Sequence, residues 1–481
     1  MGTKLLFGTV LLVSASMTLG AMWLHDNIEE RKAEGHEVAF RVGEISEETV
    51  DPAVWGKTFP RQYDSYKRTS DIAHTRYGGS EAISKVGDGA TWTKLWAGYP
   101  FSVDYREERG HAYMLVDQRE TERVKQFKQP GACLHCHASV IPAYYKKGVD
   151  AGAPANDRQA AIMKGFEEVC RMPYSDATAL VEHPVSCGDC HDPSSMALRV
   201  TRPGFLNGIA ALAESDEPLV HLESINRWRG GSRSERYDPN ALASRQEMRT
   251  FVCAQCHVEY HFAGEKKLVT YPWSNGIEAE DAERYYDEIG WKDFTHATTG
   301  TPVLKAQHPE FELWNRGVHA ASGVACADCH MPYVREGAIK VSSHHVRSPL
   351  LDVNRSCQTC HRQNEVEIQR RVTEIQDRTR HLMDRAEAAC LDVVAALEAA
   401  KSRVTDDAAL GPARKLHRAA QWRLDYVNAE NSMGFHAPGE ALRLLGESID
   451  LARQGVTEAE RLGRGDRRVD SQDSAEANAK K

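Results

Sequence analysis

CADCHMPYVREGAIKVSSHHVRSPLLDVNRSCQTCH, running from Cys326 to His361, contains one pattern twice: cysteine, two other residues, cysteine, histidine. Outward from this stretch the pattern recurs. The pairs Cys133/Cys136, Cys187/Cys190, Cys253/Cys256, Cys326/Cys329 and Cys357/Cys360 are followed directly by His137, His191, His257, His330 and His361. Ten of the 12 cysteines are used this way. Chance composition would give on the order of 0.01 such motifs in a chain of this length. Two thiols at this spacing each add across a vinyl group of haem, and the adjoining imidazole reaches the iron as its proximal ligand. Zinc ribbons and iron–sulfur sites pair cysteines without requiring histidine at the next position, and exported disulfides have no use for it. The sequence therefore predicts five covalently bound haem c groups. Cys170 and Cys390 stand apart and read as packed free thiols.

Each iron so held keeps one free axial position, and sixteen histidines lie outside the motifs, enough to cap several of them. An iron with two histidines passes electrons, whereas one left open on one side performs chemistry. Composition alone leaves both a pure electron wire and an enzyme in play.

The predicted fold class is mainly α: a multihaem cytochrome with short helices and loops around five haems, followed by long C-terminal helices. Motif spacings run from 31 residues (Cys326 to Cys357) to 73 (Cys253 to Cys326), with no internal repeat beyond the motif. Between about 50 and 360 the chain is rich in Gly, Pro and Trp and lacks long periodic segments. After His361, Ile368, Val372, Ile375, Thr379, Leu382, Ala386, Ala389, Val393 and Leu397 step by threes and fours along one long helix. Gly411-Pro412 interrupts, and helical stretches follow from about Ala413 to Asn431 and from about Gly439 to Arg461. The stripe is most simply core packing; the length of the helices makes a dimer interface the second reading. The organisation is 1–28, signal peptide or membrane anchor; 29–362, pentahaem catalytic domain; 363–462, long helices; and 463–481, a charged disordered tail.

Lys4 precedes a run of twenty residues, Leu5 to Leu24, about the length that spans a bilayer. An uncleaved anchor and a cleaved signal both fit, since the small-residue cleavage pattern is poor. Either exports the chain, to the periplasm or the outer face of the cytoplasmic membrane. The net charge of -9 and the pI near 6.2 argue against nucleic acid as a partner.

Between the motifs, Val258-Glu259-Tyr260-His261 follows the third one directly, and Lys305-Ala306-Gln307-His308-Pro309 lies farther on. Pro309 suits a first helical turn, with Glu310 and Glu312 favourable beside the helix N-terminus, so His308 stands at a helix entrance. A His-Pro helix start taken alone is more often structural than catalytic. His135, inside the first motif, reads as an exposed spacer.

The five motifs together with CHVEY (Cys256–Tyr260) and KAQH (Lys305–His308) resemble the ammonia-forming pentahaem cytochrome c nitrite reductases. The resemblance runs from about Tyr63 to Glu440 and includes LWAGYPFSVDY (Leu95–Tyr105), RGHAY (Arg109–Tyr113), DQRETER (Asp117–Arg123), WNRGVH (Trp314–His319) and FHAPGE (Phe435–Glu440). It implies a homodimer through the long C-terminal helices, a catalytic first haem, four bis-histidine haems and a calcium ion beside the open haem. By motif, His111 would cap the third haem, His344 the second, His319 the fifth and His436 the fourth. His345 adjoins His344, and the register to Pro349 favours His344. The implied catalytic trio is Arg123, Tyr260 and His308, acting on nitrite. The implied calcium ligands are the Glu259 carboxylate, the Gln307 amide oxygen and the backbone carbonyls of Tyr260 and Lys305. Electrons would come from a multihaem quinol dehydrogenase or a soluble cytochrome. One departure stands out: the family's first motif usually ends in lysine, and here it ends in His137, which changes the donor to the catalytic iron. Hydroxylamine, nitric oxide and sulfite remain open as further substrates.

Overall fold

A computed structural model describes residues 2–37, 42–78, 84, 86, 90–106, 109–337 and 339–463. The predicted disordered tail lies outside the described residues, apart from Gly463. Most of the chain is helical, and the strands form three two-stranded antiparallel hairpins. Six helices organise the rest: α1 (Gly2–Glu37), α2 (Ile141–Asp150), α3 (Arg158–Arg171), α4 (Glu365–Lys401), α5 (Gly411–Ala429) and α6 (Pro438–Gly463). The hairpins are β1 (His261–Ala263) with β2 (Leu268–Thr270), β3 (Phe294–Thr295) with β4 (Pro302–Val303), and β5 (Tyr333–Glu336) with β6 (Ile339–Ser342).

α1 carries the apolar N-terminal run, and its large side chains from Leu5 to Leu24 are exposed. The segment Lys4–Glu30 has the length and a mean hydropathy of 1.9 suited to crossing a membrane, a test that a signal sequence near the N-terminus also passes.

The described residues hold two cores. One holds the surroundings of the first motif, with Leu134, Tyr144, Phe166, Val169, Phe205 and Phe251 packed together. α2 and α3 cross within it at two glycines. A Cβ on Gly165 would lie 1.7 Å from the Tyr144 carbonyl oxygen, and one on Gly148 would lie 1.8 Å from that of Ala161. Asp157 caps α3 by accepting a hydrogen bond from the Ala160 N–H.

The other core is built on α4, α5 and α6 and reaches back to Trp92, Trp96, Tyr105, Val303, Leu304 and Ala306. Asn364 caps α4 just after the fifth motif by accepting from the Glu367 N–H. Of the predicted stripe, Val372, Thr379, Ala386, Ala389, Val393 and Leu397 are buried within the chain, so the stripe is core packing. Cys170 and Cys390 are both buried, Cys390 with its sulfur 3.7 Å from the Ser448 hydroxyl.

His135 corrects the reading of an exposed spacer: its side chain is fully buried. Its Nδ1 lies 3.3 Å from the Tyr144 hydroxyl, its ring lies against Phe166 with centroids 5.2 Å apart, and burial holds its pKa well below the usual range. The helical turn Leu134–His137 points this position inward, into the core that α2 and α3 form.

Gly165→Ala tests the crossing. Helix propensity would favour alanine by about 1 kcal/mol, but the backbone contact forces the helices apart at a cost of about 3 kcal/mol. Denaturant titration of the haem-loaded protein is expected to show a net loss of stability; a neutral or stabilising result would contradict the close approach.

Candidate functional site

Four histidine pairs bring together residues far apart in sequence. Ring centroids are 6.3 Å apart for His191 and His344, 6.4 Å for His257 and His111, 6.3 Å for His330 and His436, and 6.2 Å for His361 and His319. Two imidazoles on opposite faces of one metal, each at a bond length of about 2 Å, place their centroids about 6.3 Å apart. Several Nδ1 atoms are already engaged. Those of His191, His330 and His344 lie 3.0, 3.1 and 3.0 Å from the carbonyl oxygens of Met196, Arg347 and Ser342, and that of His436 lies 2.5 Å from Glu430 Oε1. An Nδ1–H donated in this way leaves Nε2 as the metal-facing atom and fixes the ring. These rings fit haem irons. His345, in contrast, is buried with its Nε2 unpartnered and forms no such pair.

The motifs form a sequence in space. Cys136 and Cys256 lie close enough to perturb each other's ionisation, as do Cys253 and Cys326, and Cys357 acts on Cys329. The order is therefore first, third, fourth, fifth. The second adjoins the third, where Gln255 donates to the Asp189 carbonyl at 3.0 Å. Arg202, fully buried, ties the first to the second: it donates to the Ala138 carbonyl at 2.8 Å and pairs with Asp189 at 3.0 Å.

The sequence treats all ten motif cysteines alike, and Cys360 corrects that equivalence. Cys133, Cys136, Cys187, Cys190, Cys253, Cys256, Cys326, Cys329 and Cys357 are half-buried, whereas Cys360 is exposed. The chain alone thus gives the second thiol of the fifth motif no enclosing pocket. The physical reason is its place in the chain. Cys360 lies on a bare turn between the one-turn helix Val353–Ser356 and the cap of α4, and residues 359–367 are all exposed. Its spacing to Cys357 and His361 still suits a haem tether, but one at the rim of the molecule.

The surroundings of the first motif differ in kind. Tyr260, Tyr99 and Arg123 lie together against Cys133 and Cys136. Arg123 sits on the short helix Glu122–Gln126, capped by Thr121, with its guanidinium 4.2 Å from the Phe101 ring centre. Burial raises the Tyr260 pKa well above the usual phenol range; nearby thiols add to this and Arg123 opposes it. Haem attachment turns the thiols into uncharged thioethers, so burial is the lasting cause. His308 is half-buried. Its Nδ1 is 3.9 Å from Glu310 Oε1, which is also 3.8 Å from His257 Nδ1. The His308 and His257 rings are 6.4 Å apart, but both turn Nδ1 towards this carboxylate, unlike rings on opposite faces of one metal. The helix begins at Glu310, with Pro309 as its cap residue rather than in its first turn.

Behind this pocket lie the predicted calcium ligands. Glu259 is buried, accepting from the Tyr286 hydroxyl at 2.8 Å and from the Gln307 N–H at 2.6 Å. The Gln307 amide nitrogen donates to the Lys305 carbonyl at 3.1 Å; turned over, the amide would offer oxygen on the same side. Glu259 is held well above the usual carboxylate range by burial, Glu312 is pushed up to about 8 and Asp293 to about 7, again by burial first. A buried carboxylate beside an amide that can turn its oxygen inward is a donor pair that fits a hard cation with oxygen ligands. Among the described residues, no three His, Cys, Asp or Glu side chains form a metal cluster.

Two features here carry little sequence signal. Lys305 turns its ammonium inward, 3.3 Å from Asp425 Oδ1 and 4.9–5.0 Å from the rings of Tyr105 and Trp96. Asp425, in the middle of α5, also accepts from the Ala306 N–H at 3.2 Å, and both charged side chains are fully buried. The LWAGYPFSVDY block thus supplies the aromatic wall for Lys305 and Arg123. The hairpin of β3 and β4 delivers Lys305–His308 to this wall, with Asp293 accepting from the Lys305 N–H at 2.9 Å.

Comparison with known proteins places the chain clearly. The family described as cytochrome c552 matches residues 51–474. Cytochrome c-552 of Porphyromonas gingivalis is 34% identical over 91% of this chain and 81% of its own length. That of Bacteroides fragilis is 36% identical over 83% of this chain and 75% of its own. The solved cytochrome c nitrite reductase of Desulfovibrio desulfuricans, described with two calcium sites in its catalytic subunit, superposes with a TM-score of 0.71 at 31% identity, over 87% of each chain.

Asp425→Ala would strand the Lys305 ammonium in a fully buried position. The loss is expected to be about 3–5 kcal/mol, the usual result of removing one partner of a buried pair. Thermal or denaturant unfolding of the haem-loaded variant measures it; unchanged stability would mean that the pair is not buried as described.

Proposed function

The chain belongs to the cytochrome c552 family, and from that premise we propose that it reduces nitrite to ammonium at one open c-type haem, fed by four bis-histidine haems. The observation that carries this reading is the set of four histidine pairs at 6.2–6.4 Å, each joining one of the last four motif histidines to a histidine from elsewhere in the chain. In this reading His191 and His344 hold the second haem, His257 and His111 the third, His330 and His436 the fourth, and His361 and His319 the fifth. His137, with Cys133 and Cys136, holds the first.

When bound, the first haem supplies an iron with an open position that takes nitrite and feeds it electrons. The remaining work belongs to side chains. Arg123, held by Phe101, neutralises the anion and orients its oxygens. Tyr260 keeps its proton because of burial and is a donor poised over the same space. His308, set at the entrance of the helix beginning at Glu310, polarises an oxygen and hands on a proton. Nitrite, six electrons and eight protons give ammonium and two waters, so the route for protons matters as much as the wire. Calcium on Glu259, Gln307 and the carbonyls of Tyr260 and Lys305 would lock the Tyr260 and His308 segments and add positive potential that attracts an anion.

The same reading puts the enzyme in the periplasm or on the outer face of the cytoplasmic membrane, beside a multihaem quinol dehydrogenase or soluble cytochrome donor, with residues 5–24 as an anchor if retained. A homodimer through α4 would use its outward face. Arg378, His381, Arg385, Ala388, Asp392 and Ala395 recur there by threes and fours, while the buried stripe serves the chain's own core.

Purified protein given nitrite and a low-potential donor is expected to yield stoichiometric ammonium. Nitric oxide accumulating in its place would reject the proposal. Tyr260→Phe is expected to lower turnover sharply at unchanged haem content, and equal activity would remove Tyr260 from proton delivery.

The ligand assignment has its own check in adjacent residues. His344→Ala is expected to convert one low-spin ferric haem to high spin by electron paramagnetic resonance, whereas His345→Ala leaves the spin count as it was. The reverse pattern would shift the ligand by one residue.

A further inference from the structure

The four histidine pairs do not have equivalent surroundings. His191 and His344 both turn Nδ1 to backbone carbonyls, and so does His330. His436 turns its Nδ1 to a carboxylate, Glu430 Oε1, at 2.5 Å. Glu430 is buried, and the other groups given to it are neutral: the Ser432 N–H at 3.2 Å and the Ser432 hydroxyl at 2.7 Å. Its charge is not cancelled by these partners. The backbone fixes this arrangement: the His436 N–H donates to Ser432 Oγ at 2.9 Å, and Gly434, with φ of 78°, makes the tight turn between the two residues.

We infer that Glu430 is a positioning residue that sets the potential of the fourth haem by giving its ligand His436 the character of an imidazolate. The inference rests on the reading of His330 and His436 as the two axial ligands of that haem. A carboxylate that accepts the Nδ1 proton raises the basicity of Nε2 and strengthens its donation to the metal. Ferric iron carries one more positive charge than ferrous iron, so both the richer ligand and the buried anion favour the ferric form. The fourth haem should therefore be harder to reduce than it would be with a backbone carbonyl in the same place. The position is consequential, because the fourth motif stands between the third and the fifth. Electrons arriving at the fifth haem cross the fourth to reach the third and the first.

The carboxylate is also linked to the substrate side. Asn431, the next residue, donates to Glu310 Oε1 at 2.7 Å, and that same oxygen faces both His257 and His308. The segment Glu430–Asn431 thus supports a ligand of the fourth haem at one end and the carboxylate beside the pocket histidine at the other.

The test is an anaerobic spectroelectrochemical titration of the full haem-loaded protein and of Glu430→Gln, with low-spin ferric signals followed by electron paramagnetic resonance. Glutamine keeps the size but not the charge. Losing a charged hydrogen bond should raise the ferrous-to-ferric ratio of one low-spin haem, at a fixed applied potential, by roughly tenfold. The same haem should shift its low-spin signal, with haem content and the high-spin signal unchanged. Glu430→Asp, which retains the charge on a shorter arm, should shift that haem in the same direction but less. It also serves as the test if the glutamine variant fails to assemble. Titrations that coincide with the parent in both variants would overturn the inference. His436→Ala separates the two levels of the claim: it should create one additional high-spin haem. An unchanged spin count there would overturn the ligand reading itself, whereas a new high-spin haem with unshifted Glu430 variants would overturn only the tuning role.

Discussion

Two imidazole rings held about 6.3 Å apart, with a metal's worth of space between them, form the constraint around which the middle of this chain is arranged. Each pair joins a motif histidine to one from a distant segment: His111 precedes its partner His257 by most of the first core, and His344 returns to His191 after the third and fourth motifs. Closing such loops is costly in chain entropy, and neither helix periodicity nor a continuous apolar face repays it in this region. Haems do so in the proposed arrangement. They bring apolar surface, two thioether tethers and an axial bond, which explains how short helices and loops rich in Gly and Pro pack without a long regular element. Hydrogen bonds from Nδ1 to Met196, Arg347 and Ser342 then fix the ring planes, so the protein supplies orientation where the iron supplies the bond.

The C-terminal helices serve the reactive end of this system more directly than their separation in sequence suggests. α5 contributes Asp425, which receives Lys305 and the Ala306 N–H, and α4 and α6 share one hydrophobic core with α5. The segment Lys305–His308 is therefore anchored through a buried charge to a helical scaffold. That rigidity is required if His308 is to meet a small anion over an iron, where a displacement of about 1 Å is costly. Glu259 adds a second anchor, accepting from the Gln307 N–H at 2.6 Å and the Tyr286 hydroxyl at 2.8 Å.

What the sequence disclosed depended on whether a residue's role was local. Cysteine spacing is local chemistry, so the haems and their proximal histidines were legible at once. The stripe from Val372 to Leu397 is local periodicity, and it packs as read. The proposed distal histidines, catalytic trio and calcium ligands come only through resemblance, because pairing across a haem would leave no mark at either partner's position. Burial within the motifs was equally illegible. His135 was misread because spacer positions carry no burial signal; the turn Leu134–His137 alone turns it inward. Cys360 shows the converse, since a motif identical in spacing to the others leaves its second thiol at the surface before α4. Asp425 and Glu430 carry no signal for a similar reason, and Glu310 reads only as a favourable residue at a helix start. Acidic residues on helices or at helix starts are ordinarily solvated or favourable to the dipole, and the partners of Asp425, like His257 and Asn431 beside Glu310, lie far off in the chain though adjacent in space.

The placement of charge along the proposed wire completes the physical picture. Carboxylates back the ligands of the relays: Glu430 on His436, and Glu310 facing His257. At the proposed reactive end Arg123 lies over Phe101 beside the first motif, while the charge of Lys305 in the wall behind it is met by Asp425. An anion near a relay favours its ferric state, and a cation near the terminal site favours an arriving electron and an anionic substrate alike. In the proposed arrangement Glu430 at the fourth haem and Arg123 at the first would act in the same direction, making electron transfer from relay to terminus more favourable. The histidine ending of the first motif belongs in this balance. In the proposed arrangement His137 would give the terminal iron an imidazole, so the potential of that iron would depend on this ligand and the surrounding charges together. On that reading Arg123 and the calcium proposed on Glu259 would be as much a part of the reactive centre as the motif that attaches its haem.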